Sequence, residues 1–265
     1  MLAQSVQLLA INFALALGCV LVLWLVCLKT RDPTPMDSFW GLGLALLSVS
    51  SLLQTGAATP RKLLLTGICV AWGVRLGAYL FWRWRGHGPD PRYATMLAKA
   101  REERGWSYAR ASLSLIFLLQ VPLLWLVGLP VQLGQVAAAP LGALAAIGAA
   151  LAGLGLVFET VGDAQLTRFK ADPANRGRVM DRGLWRYTRH PNYFGDACVW
   201  WGLYLIAAET GPGRFAVIGP VFLTYTLIAW SGAALLERRL SRSKPDYLAY
   251  AARTSGFVPW FPKRG

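Results

Sequence analysis

Seven apolar stretches, at approximately 7–28, 38–58, 63–82, 111–131, 139–162, 194–210 and 215–236, set the terms on which this chain can fold. A hydrocarbon core of about 30 Å is crossed by about 20 helical residues at about 1.5 Å each. Inside lipid every backbone polar group needs an internal partner, which leaves only helices and closed barrels. No strand-like alternation and no internal repeat accompany the apolar stretches, so the expected fold is an all-α integral membrane bundle of about seven transmembrane helices. It forms a single multi-pass domain over residues 1–265. Hydrophobic residues are 55% of the chain and charged ones 15%, against about 25% charged in soluble domains. That balance excludes disorder. Cys19, Cys27, Cys69 and Cys198 all lie inside apolar stretches and read as small hydrophobes rather than a disulfide framework.

The formal net charge of +14 is a matter of placement. Of the 27 Lys and Arg residues, 23 fall in the first, third and fifth connections and in the tail from Arg238 to Arg264. Only Arg61, Lys62 and Arg214 fall on the opposite side, and Arg75 lies inside the third stretch. The positive-inside rule then puts the amino terminus outside and the carboxyl terminus in the cytoplasm. The lead before the first stretch has no Lys or Arg and no small-residue cleavage site follows it, so a retained helix is expected there rather than a signal peptide. Alanine, glycine and arginine richness suits a bacterial inner membrane. Nucleic acid is not an expected partner, because no recognition motif accompanies the charge. Basic loops serve to orient helices beside an anionic leaflet, but connections of about 25–30 residues are longer than bundle turns need, and phosphate binding is the obvious use for surplus arginines.

Ionisable residues at membrane depth are expensive and mark candidate sites. Arg75 either snorkels to the cytoplasmic face or meets an anion within the bundle, and Tyr79, four residues on, shares its helix face. Asp37, near the start of the second stretch, is either a helix-start acid or a functional carboxylate. Asn192 and Asp196 are one turn apart at the start of the sixth stretch, and an unpaired carboxylate there calls for a partner or a ligand. Glu237 precedes Arg238 and Arg239 at the end of the seventh stretch and can form an interfacial ion pair. The fifth stretch continues through Glu159 and Asp163 toward Lys170, so its helix should leave the membrane with polar last turns. The alanine- and glycine-rich run from Leu133 to Gly155 suits close helix packing. His87 and His190 are too few for a zinc site. Gly-rich nucleotide loops are missing, so any nucleotide must be held by arginines, tyrosines and helix ends.

The run Arg182-Gly-Leu-Trp-Arg-Tyr-Thr-Arg-His-Pro-Asn-Tyr-Phe-Gly-Asp196, followed by Trp200-Trp201-Gly202, resembles the signature of the steroid 5-alpha-reductase and sterol reductase superfamily. The ending from Tyr247 to Lys263, with Arg253-Thr254-Ser255 and Pro259-Trp260-Phe261-Pro262, is similar to that of its largely uncharacterised bacterial branch, the DUF1295 type. Asp37-Ser38-Phe39-Trp40-Gly41 and Gly86 to Tyr93, with Asp90-Pro91-Arg92-Tyr93, extend the likeness over nearly the whole chain.

The resemblance implies a membrane reductase that binds NADPH from the cytoplasm and reduces an activated carbon–carbon double bond. By motif position, Asn192 and Asp196 would contact the nicotinamide end, with aspartate where the steroid reductases carry glutamate. Asp163, Arg168, Lys170, Arg189, His190, Tyr193, Glu237 and Tyr250 would hold the phosphates and adenosine, Arg75 and Tyr79 fall where the third helix reaches the cofactor, and the NADPH-binding half is approximately 139–265. The Gln-Glu pair with which steroid reductases grip a ketone has no counterpart here, and Asp37 is the candidate replacement.

Hydride transfer to an enone needs a donor on the carbonyl oxygen, for which Asp37 and Tyr79 are the catalytic candidates. The expected substrate is a steroid-like or other lipid entering laterally from the bilayer, with membrane lipids as further partners. The Arg-His-Pro-x-Tyr core is also shared with isoprenylcysteine carboxyl methyltransferases, so an S-adenosylmethionine-dependent lipid methyltransferase is the alternative, and a transporter or lipid scaffold is a third reading.

Overall fold

The computed structural model describes residues 1–230 and 232–263, with the side chain of Arg239 set aside. Among the described residues it is all-helical, with no β-strand beyond one isolated bridge, Thr188 to Ser255. Six helices are long and apolar enough to cross a bilayer, consistent with a multi-pass membrane protein: α1 (Leu2–Thr30), α2 (Pro35–Gln54), α3 (Pro60–His87), α5 (Tyr108–Val127), α7 (Ala143–Ala171) and the stretch Pro212–Ser243. Seven were expected. The sixth apolar stretch folds as α8 (Pro191–Ala208), but the polar first turns from Asn192 to Asp196, with Trp200, Trp201 and Tyr204, keep it out of that set. Shorter elements are α4 (Pro91–Arg104), α6 (Leu129–Leu133), α9 (Ile218–Tyr225), α10 (Ala233–Ser243) and α11 (Tyr247–Arg253).

Helix starts follow local chemistry. Proline occupies the first turn of α2, α3 and α4, where a missing N–H costs nothing. Asp90 caps α4 by accepting from Arg92 N at 2.8 Å, and Gly105 ends it at φ 62°. Ser107 then caps α5 by accepting from Arg110 N at 3.3 Å. Inside α5 a widened π-turn over Leu113–Phe117 precedes Pro122, whose ring removes a ladder donor.

The chain divides into two compact units, residues 1–145 with 203–219, and 146–202 with 220–265. In the first, α2 and α3 meet along glycines: a Cβ on Gly41 would lie 2.4 Å from Gly73 O. Asn12 is fully buried and saturated, donating to Ser51 Oγ (2.8 Å) and Gln132 Oε1 (3.1 Å) and accepting from Ser50 (2.7 Å) and Gln54 (3.0 Å). Such a network ties α1, α2 and α6 together where no water can substitute. Arg61, 1% exposed, donates to the carbonyls of Ala139, Pro140 and Ile206 and pairs with Glu209 at 2.5 Å. Glu209 also accepts from Gly142 N (3.0 Å) and Leu144 N (2.9 Å), where α7 begins. Desolvation works against its charge, but the hydrogen bonds from Arg61 and Gly142 outweigh it and hold the carboxyl below its ordinary range.

In the second unit α7 and α8 approach through small residues. A Cβ on Gly195 would fall 2.6 Å from both Glu159 N and Gly155 O, and one on Gly202 would fall 2.4 Å from Gly148 O. The alanine- and glycine-rich run thus serves the close packing its composition suggests. α7 continues past Glu159 and Asp163 to Lys170, as the polar pattern at its end implies.

Candidate functional site

In the second unit the run from Arg182 to Asp196 is pinned at nearly every residue. Gly183, at φ 59°, lets the chain turn against the Gln165 side chain, whose Oε1 accepts from Leu184 N at 2.9 Å. Trp185 is buried and donates its indole N–H to Gly162 O at 3.0 Å. From the other side comes the tail. Tyr250 donates its hydroxyl to Trp185 O (2.6 Å), Arg189 N donates to Ser255 O (2.9 Å), Thr188 Oγ1 donates to Phe257 O (2.8 Å), and Trp260 N donates to Tyr187 O (2.9 Å). The two motifs that carry the resemblance, joined by contacts spanning 65 and 69 residues of sequence, are therefore one physical object.

The polar side chains sit on that frame. His190 and Arg189 share one carboxylate oxygen of Glu237, at 2.9 Å and 3.2 Å. The His190 ring stacks on Tyr193 with centroids 5.3 Å apart. Asn192 donates to Asp163 Oδ1 at 3.2 Å. Burial lowers the His190 pKa more than Glu237 raises it, with Arg189 adding to the lowering, so the imidazole is neutral and donates Nε2–H to Glu237. A histidine held neutral contributes stability that is present above its unfolded value of about 6.5 and is lost as pH falls below it, because the unfolded chain takes the proton first. The melting temperature of the protein is expected to drop between pH 7.5 and 5.5, and that drop should shrink in His190→Gln; an unchanged pH profile in the variant would contradict this reading.

Not every member of the expected set faces outward. Tyr250 is 3% exposed and its hydroxyl is spent on the Trp185 carbonyl, while Arg189 is ion-paired with Glu237 at 3.2 Å and donates from Nη1 to the Ala251 carbonyl at 3.5 Å. Both are frame residues by geometry. Arg168, Arg182 and Arg186 are exposed and have no carboxylate partner among the described residues. Tyr247, which composition did not single out, is buried near Glu237 and Arg189, and its hydroxyl has no hydrogen-bond partner among the described residues. Burial, then the Glu237 charge, push its pKa up to about 12, so it stands as a protonated donor. Lys170 and Asp196 lie on α7 and α8 as expected.

A second cluster lies in the first unit. Asp37 accepts from the Tyr93 hydroxyl and pairs with Arg92 at 3.3 Å, and Arg92 also pairs with Asp90 at 2.8 Å. Burial, Asp37's charge and its hydrogen bond raise the Tyr93 pKa, which keeps the phenol protonated. Asp32 accepts from Thr34 Oγ1 (2.6 Å) and Trp84 Nε1 (2.7 Å), and Thr34 in turn accepts from Asp90 N (2.9 Å). Tyr79 meets the Arg75 guanidinium at 5.4 Å from its ring centroid and stacks on Trp82. Arg75 and Tyr79 share a face, as their spacing implies. The motif from Asp90 to Tyr93 is visible in the sequence, but the placement of Tyr93 and Arg92 against Asp37 is not, because the contact spans 56 residues and leaves no periodic trace.

No group of three or more His, Cys, Asp or Glu that could hold a metal ion occurs among the described residues. A fungal protein from Schizosaccharomyces pombe (strain 972 / ATCC 24843), named "Uncharacterized protein C594.04c", is 24% identical over 269 aligned residues, covering 90% of this chain and 76% of its own length. No solved structure matches the chain. The profile of the family described as "Protein of unknown function (DUF1295)" matches residues 23–254, taking in both the pinned run and the clamp from the tail up to Thr254. The chain belongs to the DUF1295 family.

Proposed function

We propose that this protein is an NADPH-dependent membrane reductase of an activated carbon–carbon double bond in a lipidic, steroid-like enone, with its amino terminus outside and its carboxyl terminus in the cytoplasm. The observation that carries the reading lies in the second unit, where a turn fixed from both sides bears Arg182 and Arg186, exposed and without carboxylates among the described residues. Arginines left unpaired on a rigid frame suit a polyphosphate. The buried Tyr247 hydroxyl, lacking an acceptor beside Arg189, suits a polar ligand as well.

In this reading Arg168, Arg182 and Arg186 take the phosphates, and Tyr247 donates to an oxygen of the cofactor. Asn192, oriented by Asp163, addresses the nicotinamide end, as the resemblance implies. Arg189, His190, Glu237 and Tyr250 keep the frame rigid, a positioning role. When bound, NADPH supplies the hydride. The accompanying proton donor to the substrate oxygen is proposed as Asp37 or Tyr79, and within the first unit the Tyr93 hydroxyl and the Arg92 guanidinium hold the Asp37 side chain in place, a positioning role.

A ligand that binds only the folded protein stabilises it by about 2.7 kcal/mol at 100 times its dissociation constant. NADPH is therefore expected to raise the melting temperature of the purified protein by several degrees, and S-adenosylmethionine to leave it unchanged. Arg182→Gln/Arg186→Gln should weaken the NADPH response on the order of tenfold or more, because hydrogen bonds to charged groups contribute about 1.5–3 kcal/mol each. Asn192→Ala should weaken it less. A rise with S-adenosylmethionine alone would install the methyltransferase reading, and no rise with either would favour a scaffold or transporter.

A further inference from the structure

A second cationic feature lies in the first unit, outside everything the reductase reading uses. Where α1 ends and α5 begins, a cleft of about 420 Å³ is lined by Arg31, Arg101, Leu97, Trp106 and Tyr108. Arg104 and Arg110 flank it from either side in sequence, with their guanidinium carbons 5.0 Å and 4.6 Å from the Trp106 ring centroid. Arg31 lies 5.8 Å from the centroid of Tyr108. All four arginines are exposed and none has a carboxylate partner among the described residues. None of the acids nearby is ion-paired with them among the described residues. Asp32 is taken up by Thr34 and Trp84, Glu103 pairs with Lys99 at 3.7 Å, and Glu102 is exposed. Tyr108 adds a buried hydroxyl with no hydrogen-bond partner among the described residues.

We propose that this cleft binds the phosphodiester headgroup of an anionic phospholipid. Three guanidiniums held over two aromatic rings, a fourth from Arg101 lining the cleft and a spare hydroxyl donor fit a phosphodiester oxyanion. The cleft's place argues for a lipid over a free anion. It marks the level at which two membrane-crossing helices leave the hydrocarbon, where Trp and Tyr concentrate and acidic headgroups lie. Below it on α1, Val22, Leu25 and Val26 are each more than half exposed, an apolar track along which acyl chains can run. The proposal rests on the membrane reading of the helices and is independent of the reductase reading.

Native mass spectrometry of the purified protein in detergent, titrated with phosphatidylglycerol or phosphatidylcholine, tests it. The unaltered protein is expected to retain one phosphatidylglycerol in preference to phosphatidylcholine. Arg31→Gln/Arg101→Gln should weaken that binding on the order of 30-fold, at about 1 kcal/mol for each basic residue near the surface. Trp106→Ala, which keeps every charge, should weaken it too. Arg176→Gln/Arg178→Gln makes the same charge change on exposed residues of the second unit and should leave binding unaltered. Equal losses in the two double variants, or no preference between the lipids, would overturn the proposal by making overall charge sufficient. Displacement of the lipid by millimolar inorganic phosphate would overturn the lipid as occupant. All these substitutions fall on exposed or half-exposed side chains, and unchanged melting temperatures confirm that the variants fold.

Discussion

Gly195→Ala is expected to destabilise the protein by about 3 kcal/mol or more, lowering its melting temperature by about 10 °C, although it adds one methyl group to a helix. The added carbon would sit 2.6 Å from Glu159 N and from Gly155 O, both backbone atoms of α7, and 3.0 Å from Glu159 Cβ. Backbone cannot swing aside as a side chain can, so the two helices must separate. Separation moves Glu159 and Asp163 away from α8, and the Asp163–Asn192 hydrogen bond at 3.2 Å goes with it. Gly153, on α7 with nothing within 4 Å of its Cβ position, is the control. Gly153→Ala should leave the melting temperature unchanged or raise it slightly, since alanine is the better helix former. Equal effects at the two positions would show that helix propensity, not contact, governs this interface.

Arg61→Met is expected to cost about 3–5 kcal/mol, the range for removing one partner of a buried ion pair. Arg61 holds three backbone carbonyls from two separate segments, 139–140 and 206, as well as the Glu209 carboxylate. Methionine fills much of the volume but satisfies none of those acceptors. Glu209→Gln keeps an oxygen acceptor for one of the two backbone donors, Gly142 N on Oε2 or Leu144 N on Oε1, and leaves the Arg61 carbonyl contacts in place, so it should cost less. Comparing unfolding midpoints of the two single variants and the double variant measures the coupling, expected to exceed about 1 kcal/mol. An Arg61→Met protein as stable as the parent would mean the pair is ornamental.

Much of the helical layout is legible in the sequence because hydrophobicity over about 20 residues is a cumulative signal. Single contacts are not. Arg61 reads as a loop charge opposite the basic side, yet it is 1% exposed, because carbonyls from distant segments converge on it and no local pattern records their convergence. The third connection reads as a long basic loop but contains α4, a 14-residue helix. Its apolar stripe is too thin to announce it, although Asp90-Pro91 and Gly105 mark its ends. In the candidate site, the resemblance picks out the run from Arg182 and the ending from Tyr247 separately. That the second clamps the first depends on backbone hydrogen bonds such as Arg189 N to Ser255 O, which any residue types could make. Tyr93 against Asp37 and the orphaned Tyr247 hydroxyl are likewise products of the fold alone.

The most direct test of the central claim follows the hydride. Purified protein in lipid nanodiscs is supplied with NADPH carrying deuterium at the transferable position of its nicotinamide and with a panel of lipid enones, and the products are weighed by mass spectrometry. The account predicts a saturated product that gains one deuterium from the cofactor at a rate that falls sharply in Arg182→Gln/Arg186→Gln. Product with no deuterium, or methyl transfer from S-adenosylmethionine to a lipid by the same preparation, would contradict it.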